Sequence, residues 1–382
     1  MSSRLYPMAA GNFAIGTGMF VTAGLLPSIS ADLGVSLSAA GQLMTVFALA
    51  YAVLSPLLAA LTVRMSRRTL LLVAMGVFVL GNVLTALAPT YPLVLLTRVV
   101  AAAGAAMFTP TSSALANALT EPERRGRALA LVMGGLSVAS AIGVPLGTWL
   151  GEAVNWRATL WMVTALGVIG LVWVALRVPD ARVQAAGRLR ERFEPLRDRR
   201  VLAVMVTQLL MFWAAFSAYT YIGSLFDLPL PALLWAWGLG GIVGNLLGGR
   251  LTDVYGPRRM IMIGMGASVV FLALIPVANL ALPVALVWGF LWGAVGWLIA
   301  PAQQFRTVMA VPGNVPIGLG LLSSAQYLGL FLAGVAGGAA LDGYGRAGVV
   351  VLSVALGVVG LAFTLVTYRG AVISPKVSVP AR

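Results

Sequence analysis

The chain has 382 residues, 60% of them hydrophobic and only 9% charged, with a formal charge of +14. Soluble domains carry about 25% charged residues, so a soluble globular domain is excluded. The absence of cysteine and histidine excludes disulfides, thiol chemistry and histidine-based ligation or proton switching.

Apolar runs of roughly 20 residues recur along the chain and predict transmembrane helices. They are continuous rather than alternating, which favours helices over a closed barrel. In chain order the predicted spans are 8–27, 39–62, 69–88, 92–118, 127–150 and 157–177, then 201–224, 231–251, 259–279, 283–305, 316–341 and 347–368. The first run has no polar cleavage region and reads as a span rather than a secretory leader. The expected fold is an all-α membrane protein of twelve helices in two pseudo-symmetric six-helix bundles. Its expected division is 1–178, a basic linker at 179–200, and 201–382.

That linker is the only long polar segment. It holds seven arginines against four acids, as a cytoplasmic connector between membrane-embedded halves would. When each Lys and Arg is assigned to a side, 22 of 25 fall with the termini, the linker and the even-numbered turns. Arg157 and Arg346 fall opposite, and Arg98 lies within a span. The positive-inside rule then places both termini in the cytoplasm. It also accounts for the charge without a nucleic-acid partner.

The halves look like a repeat. Val63-Arg64-Met65-Ser66-Arg67-Arg68 follows the second span, and Asp253-Val254-Tyr255-Gly256-Pro257-Arg258-Arg259 follows the eighth. Each is a tight turn with a basic pair opening the next helix. Transporters built from parallel repeats bind substrate between the repeats near the bilayer midplane.

These residues resemble the major facilitator superfamily. Gly249 to Arg259 matches the loop motif GxLxDxxGxRR of that family almost position for position. In the first-half copy Val63 replaces the aspartate and Ser66 the glycine. The fifth span carries Gly135, Gly143, Pro145, Gly147 and Gly151, similar to the glycine–proline motif of family antiporters. Arg98 matches the fourth-helix arginine motif. Leu25-Leu26-Pro27-Ser28-Ile29 with Asp32-Leu33-Gly34, and Glu123-Arg124-Arg125-Gly126-Arg127-Ala128, look like the bacterial drug and sugar efflux branch. The resemblance implies a monomeric transporter of the bacterial inner membrane. It would export a drug, sugar or nucleoside-like molecule by alternating access, in exchange for protons. It implies no enzyme activity, cofactor or metal.

One position departs from the pattern. Many relatives carry GTxEF in the first span, and here Gly16-Thr17-Gly18-Met19-Phe20 puts Met19 in place of the acid. No Asp or Glu lies in the middle of any predicted span. Arg98 and Asp32 are the remaining candidates for proton coupling. Uncoupled facilitation or import of a neutral or anionic metabolite is the alternative, and a non-transporting sensor on the same fold a further one.

By the resemblance, spans 1, 4, 7 and 10 line the cavity, helped by 2, 5, 8 and 11. The candidate substrate-binding residues are Asn12, Thr17, Met19, Arg98, Gln208, Trp213, Tyr219, Tyr221, Asn245, Trp292, Trp297, Gln326 and Tyr327. Aromatic groups at that depth suit planar or lipophilic ligands. The candidate gating residues are Arg64, Arg67, Arg68, Gly143, Pro145, Gly147, Gly249, Asp253, Gly256, Arg258 and Arg259. The run Gly238-Leu239-Gly240-Gly241-Ile242-Val243-Gly244 mimics a dinucleotide loop only weakly, because no strand precedes it.

Overall fold

A computed structural model of the chain describes residues 4–62, 64–121, 125–180, 194–311 and 315–370. Val63, Glu123, Arg124, linker positions 181–193 and the tail 371–382 lie outside the described residues. Among the described residues, ten helices are long and apolar enough to cross a membrane.

The first six helices are α1 (Tyr6–Leu33), α2 (Leu37–Leu61), α3 (Arg67–Leu87), α4 (Tyr91–Ala118), α5 (125–153) and α6 (Trp156–Arg177). Their ends are set by local chemistry. Gly34 closes α1 at φ 63, a conformation glycine adopts without strain. Ser36, Ser66 and Asn155 cap α2, α3 and α6 by accepting from the backbone amides of Ala39, Thr69 and Ala158. Helix α5 is interrupted by a π-helical segment, Ala139–Gly143, directly before Pro145. Proline has no amide hydrogen and its ring crowds the carbonyl one turn back, so the ladder slips there.

The second set opens with α7 (Arg199–Thr220), whose cap is Asp198, accepting from the Arg200 amide. Helix α8 (Leu230–Tyr255) ends at Gly256 with φ 79 and ψ 154, a backbone conformation that favours glycine. Ser66, at the corresponding turn of the first half, instead has φ −64 and caps with its side chain. The two copies of the loop therefore make the same turn by different chemistry. Helix α9 (Pro257–Ala273) breaks at Leu274 before the short turn Ile275–Ala278. Pro276 has no amide hydrogen to donate to the carbonyl one turn back, so the ladder of α9 does not run through it. Helix α10 (Leu282–Ala310) follows.

The last helical stretch, Val315–Gly370, leaves helical geometry at Gly345 (φ 62, ψ −153). We number its arms α11 (315–344) and α12 (346–370). Gly329 of α11 packs on Leu209 and Gly360 of α12 on Leu210, so both arms return to the same part of α7. With these arms separated and the 17-residue α9 added, the chain has twelve main helices, although α9 is not among the ten stretches long and apolar enough to cross a membrane.

Successive helices alternate in direction. The turns α2–α3, α4–α5, α8–α9 and α10–α11 share one end of the bundle, called here the basic end for its arginines. The turns α1–α2, α3–α4, α5–α6, α7–α8, α9–α10 and α11–α12 share the far end. The packing pairs α1–α5, α2–α4, α3–α4 and α3–α6 recur as α7–α11, α8–α10, α9–α10 and α9–α12. The two sets meet along a seam formed by α2 against α11 and α5 against α8.

Candidate functional site

Aromatic side chains line the seam at mid-depth. Phe212 stacks on Phe216 at 5.2 Å, and Phe216 meets Phe20 of α1 at 6.0 Å and Tyr219 at 5.2 Å. Tyr219 packs on Trp237 of α8 at 4.6 Å. Trp237 continues to Trp292 of α10 at 6.2 Å, and Trp292 to Trp288 at 4.9 Å. Beside this wall, Tyr51 of α2 and Tyr327 of α11 stack at 3.7 Å across the seam. The Tyr327 hydroxyl donates to Sδ of Met19 at 3.5 Å. The position where the resemblance to the family's first-span motif leads one to expect an acid is thus filled by a thioether under a tyrosine.

Two polar groups in this wall lack partners. The Tyr219 hydroxyl and Oε1 of Gln208 are buried and make no hydrogen bond. They stand on one helix, eleven residues and about 16 Å apart. Gln208 Nε2 donates to Gln326 Oε1 at 3.4 Å, which joins α7 to α11. Nε1 of Trp213 is likewise buried and unpartnered. A buried polar atom without a partner costs about 1–3 kcal/mol, and a bound molecule that bonds to it recovers that cost. The wall carries no charged side chain. Its chemistry is dispersion and stacking with a few hydrogen-bond handles.

Of the residues expected from sequence, Met19, Gln208, Tyr219, Trp292, Gln326 and Tyr327 meet at or beside this wall. Others do not. Asn12 lies wholly inside the first six helices. It donates to Ser112 and to the Val132 carbonyl at 3.1 Å, and accepts from Thr109 at 2.9 Å, so it ties α1, α4 and α5 together. Thr17 is buried against Gly143 and its hydroxyl donates to the Phe13 carbonyl. Trp297 packs on Gly241 within the second set. Asn245 is half-buried on α8. Arg98 is 2% exposed and touches only first-half residues.

Tyr221 belongs to the closure of the far end. Its hydroxyl donates to the Gly334 carbonyl at 2.7 Å and lies against Gly41 of α2. There Ser38 donates to Asp342 at 2.6 Å and Gln42 to the Gly334 carbonyl at 3.5 Å, both bonds joining the two sets. The side-chain hydrogen bonds and ring stacks described across the seam include ones at mid-depth and at this end. A cleft of about 480 Å³ lies at the far end, with Glu152 and Asp227 in its wall. It holds none of the expected substrate-binding residues.

Asp32 pairs with Arg157 and accepts from Trp156 Nε1 at 3.0 Å. Asp227 pairs with Arg346 and accepts from Asn279 at 3.1 Å. Each aspartate follows or ends the first helix of its set, and each arginine opens the sixth. The two ion pairs are therefore repeat-related. The hydrogen bonds from Arg346 and Asn279 hold the Asp227 carboxyl down at about 2.

At the basic end, Arg68 donates to the Ala175 carbonyl at 2.6 Å, satisfying the last turn of α6. Arg67 and Arg258 also interact. Arg64, Asp253 and Arg259 are exposed, Gly249 is half-buried, and Gly256 makes the turn. Among the described residues Asp253 makes no ion pair. On α5, Gly143 faces Thr17, Gly147 faces Val21 and Gly151 faces Leu25. Glycines at this spacing let α5 lie close against α1.

Sequence reasoning missed Phe20, Phe212, Phe216 and Trp237 as parts of the wall. A signal was available in Phe212, Phe216 and Tyr219, whose spacing puts them on one helix face. Also missed was Gln303, fully buried on α10 with neither amide atom partnered. The predicted span stopped at 305, whereas α10 runs to Ala310 and takes in Arg306, which donates to Thr207 at 3.3 Å.

The sequence profile of the Major Facilitator Superfamily matches residues 8–305. The inner membrane transport protein YdhP of Escherichia coli (strain K12) is 33% identical over 97% of this chain and 92% of its own length. A chloramphenicol resistance protein of Streptomyces lividans is 34% identical over 66% of this chain and 67% of its own. A crystal structure of the nucleoside transporter NupG superposes with a TM-score of 0.76 at 14% identity, covering 96% of this chain and 99% of that one.

Proposed function

The chain belongs to the major facilitator superfamily, a family of multi-pass membrane transporters and not enzymes, and on that premise we propose that it exports a small aromatic or lipophilic molecule. Export proceeds by alternating access between the two sets of six helices. The observation that carries this reading is the aromatic wall at the seam, uncharged and holding the unpartnered Tyr219 hydroxyl and Gln208 oxygen. A cation in a low-dielectric cavity wants an anionic partner, and this wall offers none. Neutral molecules of the phenicol kind fit it, in line with the name of the Streptomyces relative. The contacts across the far end hold the two sets together there. The transporter acts as a monomer.

Proton exchange is the drive this reading expects. The test is uptake of radiolabelled chloramphenicol into inverted vesicles, with and without an imposed pH gradient. Saturable uptake that collapses with the gradient supports exchange. Met19 in the place of the acid favours a second reading, uncoupled facilitation, in which uptake follows the substrate gradient alone. No uptake of phenicols, sugars or nucleosides under either condition would sink both.

A further inference from the structure

Two glutamines beside the aromatic wall meet with their hydrogen bonding half complete. Gln208 of α7 stands one turn before Phe212 and two before Phe216, a spacing that keeps all three on one helix face. Gln326 of α11 is next in sequence to Tyr327, which stacks on Tyr51 across the seam. Gln208 Nε2 donates to Gln326 Oε1 at 3.4 Å. Among the described residues neither side chain makes another hydrogen bond. Gln208 is 4% exposed, and its Oε1 is buried without a partner. Gln326 is only half-buried, so the pair can be reached from its side.

Each amide carries an acceptor oxygen and a donor nitrogen. When two amides share one N–H···O bond, one acceptor and one donor are left over. Here they are Gln208 Oε1 and Gln326 Nε2. Turning both amides over exchanges the two roles and leaves the same complement. Because one bond joins the side chains, the free groups lie close together. A carboxylate presents acceptors only, and one of the two groups would face its own kind. An ammonium presents donors only and would be desolvated here without a counter-charge. An ester accepts but cannot donate. A primary carboxamide or a lactam presents a donor and an acceptor on one edge and satisfies both. The neighbouring rings of Phe212 and Tyr327 suit a flat apolar group attached to that edge.

We infer, resting on the seam as the substrate site, that Gln208 and Gln326 are its specificity-determining pair and select a neutral aromatic molecule with a primary carboxamide or lactam edge. The ligand's N–H pairs the buried Gln208 oxygen, and its carbonyl accepts from Gln326. A molecule of the same shape without the N–H leaves that oxygen buried and unpaired, which is how the site rejects it.

The experiment measures binding of three probes to the full-length protein purified in detergent, by thermal shift and by equilibrium dialysis. The probes are naphthamide, N,N-dimethylnaphthamide and methyl naphthoate. They share one ring system, and only the first can donate a hydrogen bond. Naphthamide should bind about tenfold more tightly than the other two, as expected for one hydrogen bond to a buried acceptor. Gln208→Leu should bring the three to one affinity. Gln326→Leu should weaken naphthamide and the ester alike, since both accept. Should Gln208→Leu fail to fold, the three probes on the unaltered protein still decide. Equal affinities there would overturn the amide edge and leave the aromatic wall as the site. No saturable binding of any probe would overturn the wall as a site for aromatic molecules as well. A tenfold preference that survives Gln208→Leu would overturn the assignment to this pair.

Discussion

At the scale of single residues, burial has separated side chains that the sequence presents alike. Asn12 and Gln208 are both amides in first helices of their sets. The first has its amide oxygen and nitrogen bonded inside the helix bundle, while the second keeps an unpartnered oxygen at the seam. The Tyr219 hydroxyl bonds to nothing in the unliganded protein, so Tyr219→Phe should leave the melting temperature unchanged or raise it. The same change should weaken a ligand that uses the hydroxyl about tenfold, from the loss of roughly 1.4 kcal/mol. Ligand-dependent thermal shifts on both proteins check this. Asp227 makes a pH prediction. Its folded-state value is depressed, so its contribution is present above the ordinary value of 3.8 and is lost as pH falls toward about 2. Melting of the unaltered protein should therefore fall more steeply across that window than melting of Asp227→Asn. Equal slopes would show that the pair with Arg346 contributes nothing.

At the scale of helices, glycine and proline decide how closely elements approach. Pro145 displaces the ladder of α5 into a π-turn, and that turn meets Gly238 of α8 at the seam. A Cβ at Gly238 would stand 2.3 Å from the Ala141 Cα. Within the second set, Gly240 and Gly244 bring α8 onto the backbone of α10 at Phe290 and Ala294 in the same way. The run that mimics a dinucleotide loop is a packing surface on two sides. Gly238→Leu should separate α5 from α8, costing about 1–3 kcal/mol of stability, with transport reduced more than expression. Melting and vesicle uptake measured together test it. Wild-type transport in a destabilised protein would show that this contact has no part in the cycle.

At the scale of the whole molecule, the seam is closed at the far end by Ser38 with Asp342 and by Gln42 with Gly334, and Tyr51 stacks on Tyr327 deeper in the seam. Alternating access requires these contacts to part. The chain has no cysteine, so Ser38→Cys with Asp342→Cys introduces the only thiols. Oxidation should stop transport and reduction should restore it, while either single substitution remains insensitive to oxidant. Full transport with the crosslink formed would show that the far end does not open. The repeat-related ion pairs Asp32–Arg157 and Asp227–Arg346 each lie within one set. They brace each set as a unit and leave the seam free to move.

The sequence by itself determined that the chain spans a membrane as helices, because apolar runs in lipid leave the backbone no other way to satisfy its hydrogen bonds. It also determined the repeat and the glycine–proline segment of α5, since backbone geometry is written in local residue types. Only the tertiary structure decided which polar and aromatic groups face the seam. In an apolar helix every face is hydrophobic, so no periodicity separates a wall of a binding site from a packing surface. That is why Phe20, Phe212, Phe216 and Trp237 escaped notice, and why Arg98 looked like a residue of the transport path. Its position away from the seam depends on how α1, α2 and α4 close around it, which no single helix encodes.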